Sequence, residues 1–577
     1  MTFTQWFIFF LIIQVIHFLG TWKIYIKAGR KAWEAAVPIY NAIILMQIIN
    51  RPKWWTVLLF IPIINLLMFP VIWIETIRSF GFTSKLNSFL VIATLGLYIF
   101  YINYATDAKY IEERSLKPRS ELGEWISSIT FAIIAATLVH TYFMQPYTIP
   151  TSSLEKTLLV GDFLFVSKFH YGARIPMTTV AAPMVHDTLP FLGKSFLSDD
   201  NAATYKTSLK NKLTLPYMRL PGFQKIKRND IVVFSWPADS LSSMYGDTSG
   251  KFTYKPLDKK TNYVKRCVGI AGDSLEIRNG YVFINGKKNE LPDRAKLQFF
   301  YTYTSKSTIN NQTYPSFLKN NERTFVYKIL TEYWENDKVQ EAFNRSANLS
   351  KIGEDSLYTE VAGVIAQSLS QRLKMQMVDN KININLTADE VAQLKKHSQT
   401  VSVIKINQKI DNDIFPHIKS NDWSQDNFGP IYIPEAGKTV KINTKTLPYY
   451  QQIIKLYENN NLETNGDDIY INGQLVDSYT FKQDYYWMMG DNRHNSLDAR
   501  YWGYVPFDHV VGKPVLIWFS WNPNAGSFVE KLKSIKWDRM FTTVHGSGKP
   551  VSYFNYFLIV LALYFGFTFY QGRKKSS

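Results

Sequence analysis

The sequence predicts a mainly β domain of antiparallel sheets, held between N-terminal and C-terminal transmembrane α-helices and interrupted by an inserted α+β side domain. Apolar runs of membrane length fall in residues 1–144 and 551–577. Between them lie short runs of Val, Ile, Phe and Tyr separated by Asn-Gly pairs, and the stretch 291–437 departs from that texture by being polar with helical pieces. With 577 residues, 46% hydrophobic and 15% aromatic, the chain can bury a sizeable core, which excludes a disordered or fibrous protein.

A transmembrane helix needs roughly 20 apolar residues. Phe3–Leu19, Trp54–Ile74, Leu86–Tyr104, Trp125–Met144 and Tyr553–Tyr570 supply them, so residues 1–144 are expected to hold about four spans and residues 551–577 a fifth with a basic tail. The first run lacks a small-residue cleavage site and is expected to remain in the mature chain. Pro62 and Pro70 interrupt the second, which lipid tolerates when neighbouring helices satisfy the freed carbonyls. About six Lys/Arg lie between Lys23 and Lys53, about two between Glu75 and Lys85, and about four between Lys109 and Arg119. These counts put the first and third loops and the tail at Arg573-Lys574-Lys575 in the cytoplasm, and residues 145–550 on the other side. The net charge of +18 is dispersed, with no Lys/Arg block of the kind that binds nucleic acid, so an anionic bilayer is the expected partner. Cys267 is the sole cysteine, which precludes an intrachain disulfide.

The strands are expected at Asp230–Phe234, Tyr263–Lys265, Ser274–Ile277, Tyr281–Ile284, Asp468–Ile471 and Val515–Trp518, with tight turns at Asn279-Gly280, Asn285-Gly286 and Asn472-Gly473. They divide into a first part of the β domain over 145–290 and a second over 438–550, with the side domain at 291–437 between. Thr387-Ala-Asp-Glu390 is a capping box that opens a short helix in the side domain, and Pro448–Tyr457 reads as an amphipathic helix just after it.

Four segments carry chemistry. Ile149-Pro-Thr-Ser-Ser-Leu-Glu-Lys-Thr-Leu-Leu-Val-Gly-Asp-Phe163 follows directly on a membrane helix, so its serines sit at the bilayer surface. Downstream come Lys227-Arg-Asn-Asp-Ile-Val-Val-Phe234, Asn262-Tyr-Val-Lys-Arg-Cys-Val-Gly-Ile-Ala-Gly-Asp273 and Met489-Gly-Asp-Asn-Arg-His-Asn-Ser-Leu-Asp-Ala-Arg-Tyr-Trp-Gly503. At these places, and in this order, the chain resembles the bacterial type I signal peptidases, also called leader peptidases. The likeness covers roughly half of the part beyond Met144.

The resemblance implies a signal-peptidase-like β fold in the bacterial cytoplasmic membrane, multi-pass, with the catalytic domain on the extracytoplasmic side. It implies secretory preproteins as substrates, the lipid bilayer and the secretion machinery as contacts, small residues at P1 and P3, and no cofactor or metal. Residue by residue it implies Ser153 as nucleophile and Lys265 as general base, with the Ser153 N–H and the Thr151 hydroxyl as oxyanion donors. Ser496 would orient the lysine amine, Asp498 and Arg500 would form an ion pair, and Asp491 and Arg493 would shape the loop. Ile149, Pro150, Leu154, Ile231 and Val233 would line the substrate pockets. A lysine acts as a base only when neutral, so its ordinary pKa near 10.4 must be lowered, and burial among apolar neighbours does this. On a strand Lys265 shares a face with Tyr263 and Cys267 while Arg266 points away.

The chain departs from the family pattern at Ser152 for Gly, Leu154 for Met, Lys156 for Pro and His494 for Asp. A hydrolase using His494 in a Ser-His-Asp triad is a second reading, without a Gly-x-Ser-x-Gly elbow to support it. An envelope protein that binds signal peptides without cutting them is a third. No His-Glu-x-x-His occurs, and Gly246-Asp-Thr-Ser-Gly-Lys-Phe252 has the wrong spacing for a phosphate loop and reads as a flexible turn.

Overall fold

The architecture comes from a computed structural model that describes residues 1–118, 120–179, 212–239, 254–310 and 312–576; Arg119 and the Gly246–Phe252 turn lie outside the described residues. Among the described residues, three helices are long and apolar enough to cross a membrane: Phe3–Lys27, Glu121–Phe143 and Phe554–Arg573. Lys85–Ala93 and Tyr98–Ala105 would make a fourth span only as a pair, and they meet at 117°. The bend falls at Leu95-Gly96, where both residues adopt positive φ.

The stretch Trp54–Ile74 does not form one helix. It breaks into Trp55–Leu58 and Ile64–Ser79, because Pro62 cannot continue a helix and Ile63 sits at φ 69°. The break turns the chain back. Glu75, expected in a loop across the membrane from Arg51 and Arg114, accepts from both, at 3.0 and 2.5 Å. Arg78 stands 3.8 Å from the same carboxylate. The three short loops therefore gather on one side of the helical cluster. On the other side the chain's amino terminus donates to the Lys212 carbonyl, next to the β domain.

The β domain is built on one eight-stranded antiparallel sheet. Its order is Met144–Thr148, Asp162–Ser167, Val510–Ser520, Ile231–Ser235, Asn262–Gly269, Tyr485–Met489 and Val505–Pro506, with Thr542–Thr543 paired to Val510–Ser520. The helix Glu121–Leu138 ends in a π-helical turn, Val139–Phe143, and runs straight into the first of these strands. The expected Asn-Gly turns are present: Asn279, Asn285 and Asn472 adopt φ of 49, 50 and 53° and each following glycine is also positive, the geometry that matches the twist of a two-residue hairpin.

The side domain centres on a six-stranded antiparallel sheet whose strands run from Gln298 to Lys405. Thr387 caps the helix Ala388–Lys396 with the reciprocal bonds of a capping box to Glu390. The expected stretch of 291–437 overreaches in one respect. Phe428–Tyr432 pairs with Ser274–Arg278 and so returns to the flanking β structure, because its apolar residues close the core formed with Leu275, Ile277 and Trp487. The expected helix at Pro448–Tyr457 is present as Leu447–Gln452 continued by a π-helical turn, Ile453–Tyr457.

Candidate active site

Ser153 lies in a single 3₁₀ turn, Ser152–Leu154, five residues past the strand Met144–Thr148. Leu154 anchors the turn by burying its side chain in an apolar cluster with Leu158, Leu164 and Ile517. Lys265 is carried by the strand Asn262–Gly269, paired opposite Val232. The two residues are 112 positions apart, yet Lys265 Nζ donates to Ser153 Oγ at 2.5 Å. Both are buried, at 5% and 6% exposure. Burial from water pulls the lysine pKa down to about 8; Asp498 opposes that fall and Arg500 adds to it.

The shielding is aromatic. Lys265 Nζ lies 5.6 Å from the Tyr263 ring, which stacks on Trp236 at 5.1 Å and meets Trp502 edge-on at 5.5 Å. Strand alternation forecasts Tyr263 in this role; Trp236 and Trp502 come from other segments and carry no signal of their own.

The loop Gly490–Arg500 closes the site from beneath. Asp498 and Arg500 form a two-point ion pair at 2.8 Å on both contacts, fully buried, and Asp498 also accepts from the Gly490 N–H at 3.1 Å. Charge from Arg500 holds the Asp498 carboxyl below its ordinary range against the effect of burial. A Cβ at Gly490 would collide with Ser496 Oγ and lie 2.6 Å from the Ser153 carbonyl, so only glycine fits there. Asp491 takes two bonds from Arg266, at 2.7 and 2.6 Å, and one from Thr157 at 2.7 Å. Arg493 donates to the Gly280 carbonyl at 3.0 Å.

Two expectations differ in detail. Ser496 Oγ is buried and makes no hydrogen bond among the described residues, so it does not hold the Lys265 amine in this arrangement. Ile149, Leu154, Ile231 and Val233 are each at most 3% exposed and pack together as core, because the turn and the strand Ile231–Ser235 face one another across the sheet. They form a floor rather than open pockets. Pro150 and Thr151 are exposed, with no side-chain capping bond from Thr151.

Residues outside the expected set complete the site. Asn492 donates its N–H to the Ser153 carbonyl at 3.0 Å and its side chain to the Ser152 carbonyl at 3.2 Å. Asn495 donates to Ser152 Oγ at 2.9 Å and to Glu322 at 2.7 Å. The two asparagines stand in the quoted run Met489–Gly503 without an expected role of their own.

The unusual residues at 156 and 494 both meet the side domain. Lys156, at φ 66°, pairs with Glu390 at 3.0 Å and donates to Asn321 at 3.0 Å. His494 accepts the Phe300 N–H on Nδ1 at 3.0 Å and faces both Asp426 oxygens with Nε2 at 3.0 Å. Both ring nitrogens are thereby engaged away from Ser153, which removes the triad reading. Since Nδ1 accepts, Nε2 carries the proton, and burial pushes the imidazole pKa down, favouring this neutral form. Among the described residues, no group of three His, Cys, Asp or Glu could hold a metal ion.

A hydroxyl bonded to a shielded amine, close behind a helix long and apolar enough to cross a membrane, is an arrangement capable of acyl transfer. Residues 122–344 and 433–521, more than half of the chain, match the family described as "Signal peptidase, peptidase S26", and the chain belongs to that family. It is a membrane-anchored peptidase. It is similar to proteins named Signal peptidase I from Buchnera aphidicola subsp. Schizaphis graminum (23% identical over 395 residues, 68% of this chain and 74% of the relative). A second, from Buchnera aphidicola subsp. Acyrthosiphon pisum, is 22% identical over 456 residues, 76% of this chain and 93% of the relative. One from Rickettsia massiliae is 26% identical over 211 residues, 36% of this chain and 58% of the relative. Residues 33–113 match a separate family of unknown function.

Proposed function

We propose that the protein is a signal peptidase I that removes amino-terminal signal peptides from exported preproteins by a Ser153/Lys265 dyad. The observation that carries this reading is the 2.5 Å bond between a buried lysine amine and a buried serine hydroxyl. Neutral Lys265 takes the Ser153 proton as Oγ attacks the scissile carbonyl, then gives it to the departing amine. Lys265, neutral again, activates the water that hydrolyses the acyl-enzyme. The Ser153 N–H and the Thr151 hydroxyl would receive the oxyanion. Asp498, Arg500, Asp491 and Arg493 would keep the loop beneath the amine and the nucleophile's turn in register.

The substrate would bind as an added strand. Met144–Thr148 ends the sheet, and Tyr485–Met489 pairs with the lysine strand at Arg266, Cys267 and Gly269. Asn262 donates to the Tyr147 hydroxyl at 3.1 Å, which brings the start of the lysine strand beside Met144–Thr148, and the substrate would lie along these two segments. Small P1 and P3 side chains suit a floor as closely packed as that of Ile149, Leu154, Ile231 and Val233. Pro150 would border the entrance.

For the membrane, three crossings fit best: Phe3–Lys27 inward, Glu121–Phe143 outward and Phe554–Arg573 inward. The gathering of Arg51, Arg78 and Arg114 about Glu75 on one face, and of the amino terminus near Lys212 on the other, supports cytoplasmic short loops and an extracytoplasmic β domain. The test is incubation of the detergent-solubilised protein with one secretory precursor and mass measurement of the new amino terminus. Cleavage after a small-x-small tripeptide is expected; an uncut precursor would favour a binding protein instead.

A further inference from the structure

The Ser152–Ser153 peptide carries the N–H assigned to the oxyanion. A trans peptide unit is planar, with C=O and N–H pointing in opposite directions, so whatever holds the Ser152 carbonyl also aims the Ser153 N–H. Two groups hold it: the Glu155 N–H at 2.9 Å, within the 3₁₀ turn, and Asn492 Nδ2 at 3.2 Å. Asn492 can do so only with its amino end toward Ser152. That orientation is selected from the side domain, where Asn385 Nδ2 donates to Asn492 Oδ1 at 2.6 Å.

Asn385 is built in for this contact. It is 1% exposed, on the strand Gln376–Thr387, with its N–H given to the Glu322 carbonyl at 2.9 Å and its carbonyl taken by Asn321 at 2.8 Å. Its side-chain Oδ1, although buried, has no partner among the described residues. An orphaned buried carbonyl is costly and calls for an explanation; the amide accepts that cost in order to face Asn492 with its donor end.

We propose that Asn385, a residue of the inserted domain, is a positioning residue for the oxyanion hole, acting through Asn492 on the Ser152–Ser153 peptide; this rests on Ser153 being the nucleophile. The insertion is then part of the catalytic apparatus and not only an appendage. Because the 3₁₀ turn also holds the Ser152 carbonyl, loss of the Asn385 contact should cost less than the roughly 10²–10³-fold loss that follows removal of an oxyanion donor.

The test compares the full-length solubilised enzyme with Asn385→Ala, Asn385→Ser, Asn383→Ala and Ser153→Ala on one precursor. Asn383 is two residues away on the same strand, buried, and bonded to Thr302 at 3.0 Å. It controls for loss of side-domain stability. Asn385→Ala is expected to lower kcat about tenfold, with KM and the pH midpoint unchanged, since neither groove nor base is touched. Asn385→Ser retains a donor and should recover part of the loss; Asn383→Ala should stay within about twofold of the parent even where its melting temperature falls. Wild-type kcat in Asn385→Ala, equal losses in the Ser and Ala variants, or a matching kcat loss in Asn383→Ala would overturn the proposal. Should Ser153→Ala keep cutting, it is the nucleophile assignment that fails.

Discussion

Arg266 grips Asp491 with two hydrogen bonds, at 2.7 and 2.6 Å, one residue along the strand from the lysine that faces Ser153. Strand alternation turns this second cation away from the amine, and the carboxylate neutralises it. Both partners are almost wholly buried. Breaking such a pair leaves an uncompensated buried charge, so Asp491→Asn should lose about 3–5 kcal/mol of stability. Urea unfolding of the solubilised protein measures it, and an unchanged midpoint would show the pair to be dispensable.

The two serines of the turn separate by their partners. Ser153 Oγ receives the lysine amine, while Ser152 Oγ receives Asn495. Ser153→Ala and Lys265→Ala should each abolish precursor cleavage, and Ser152→Ala should keep most of it. Precursor and product bands after a fixed incubation settle the order; loss confined to Ser152→Ala would reverse the assignment.

The lowered lysine pKa is also a statement about stability. The folded state disfavours the ammonium, so the penalty is complete below about pH 8 and disappears as pH rises toward the unfolded value near 10.5. Lys265→Met removes the charge and should raise stability near neutral pH by on the order of 3 kcal/mol, less what the Ser153 bond contributes. The gain should shrink as pH rises above 8. A variant less stable than the parent at every pH would contradict the desolvated amine.

His494 belongs to the joint between the β domain and the side domain. His494→Ala leaves the Phe300 N–H without its acceptor and the buried Asp426 carboxylate with the Gln408 N–H but no imidazole, which should cost about 1–3 kcal/mol. Cleavage should stay within a few-fold of wild type. Loss of cleavage with an unchanged melting temperature would instead point to a chemical role for the imidazole.

Much of this was legible in the sequence where chemistry is local. Asn279-Gly280 and Asn285-Gly286 dictate hairpins because only certain residues tolerate their backbone angles, and Thr387 with Glu390 dictates a helix start. Ser153 and Lys265 were found through a family resemblance, and alternation supplied the face that Lys265 shares with Tyr263. The membrane part was read less well. Trp54–Ile74 has the apolar content of a span, yet Ile63 at positive φ turns the chain back, a conformation no hydropathy pattern encodes. Ile231 and Val233 looked like pocket residues because strand sequence does not distinguish a floor from a wall. Asn385 and Asp426 were invisible for another reason: each acquires its role only from a contact more than sixty residues away.

The dependence of kcat/KM on pH tests the central claim most directly, because it reads the charge of Lys265 in the working enzyme. The account predicts a tenfold fall for each pH unit below about 8, with full activity above it, in step with the amine gaining its proton. A rate that stays flat down to about pH 5 would mean that no lysine base operates here.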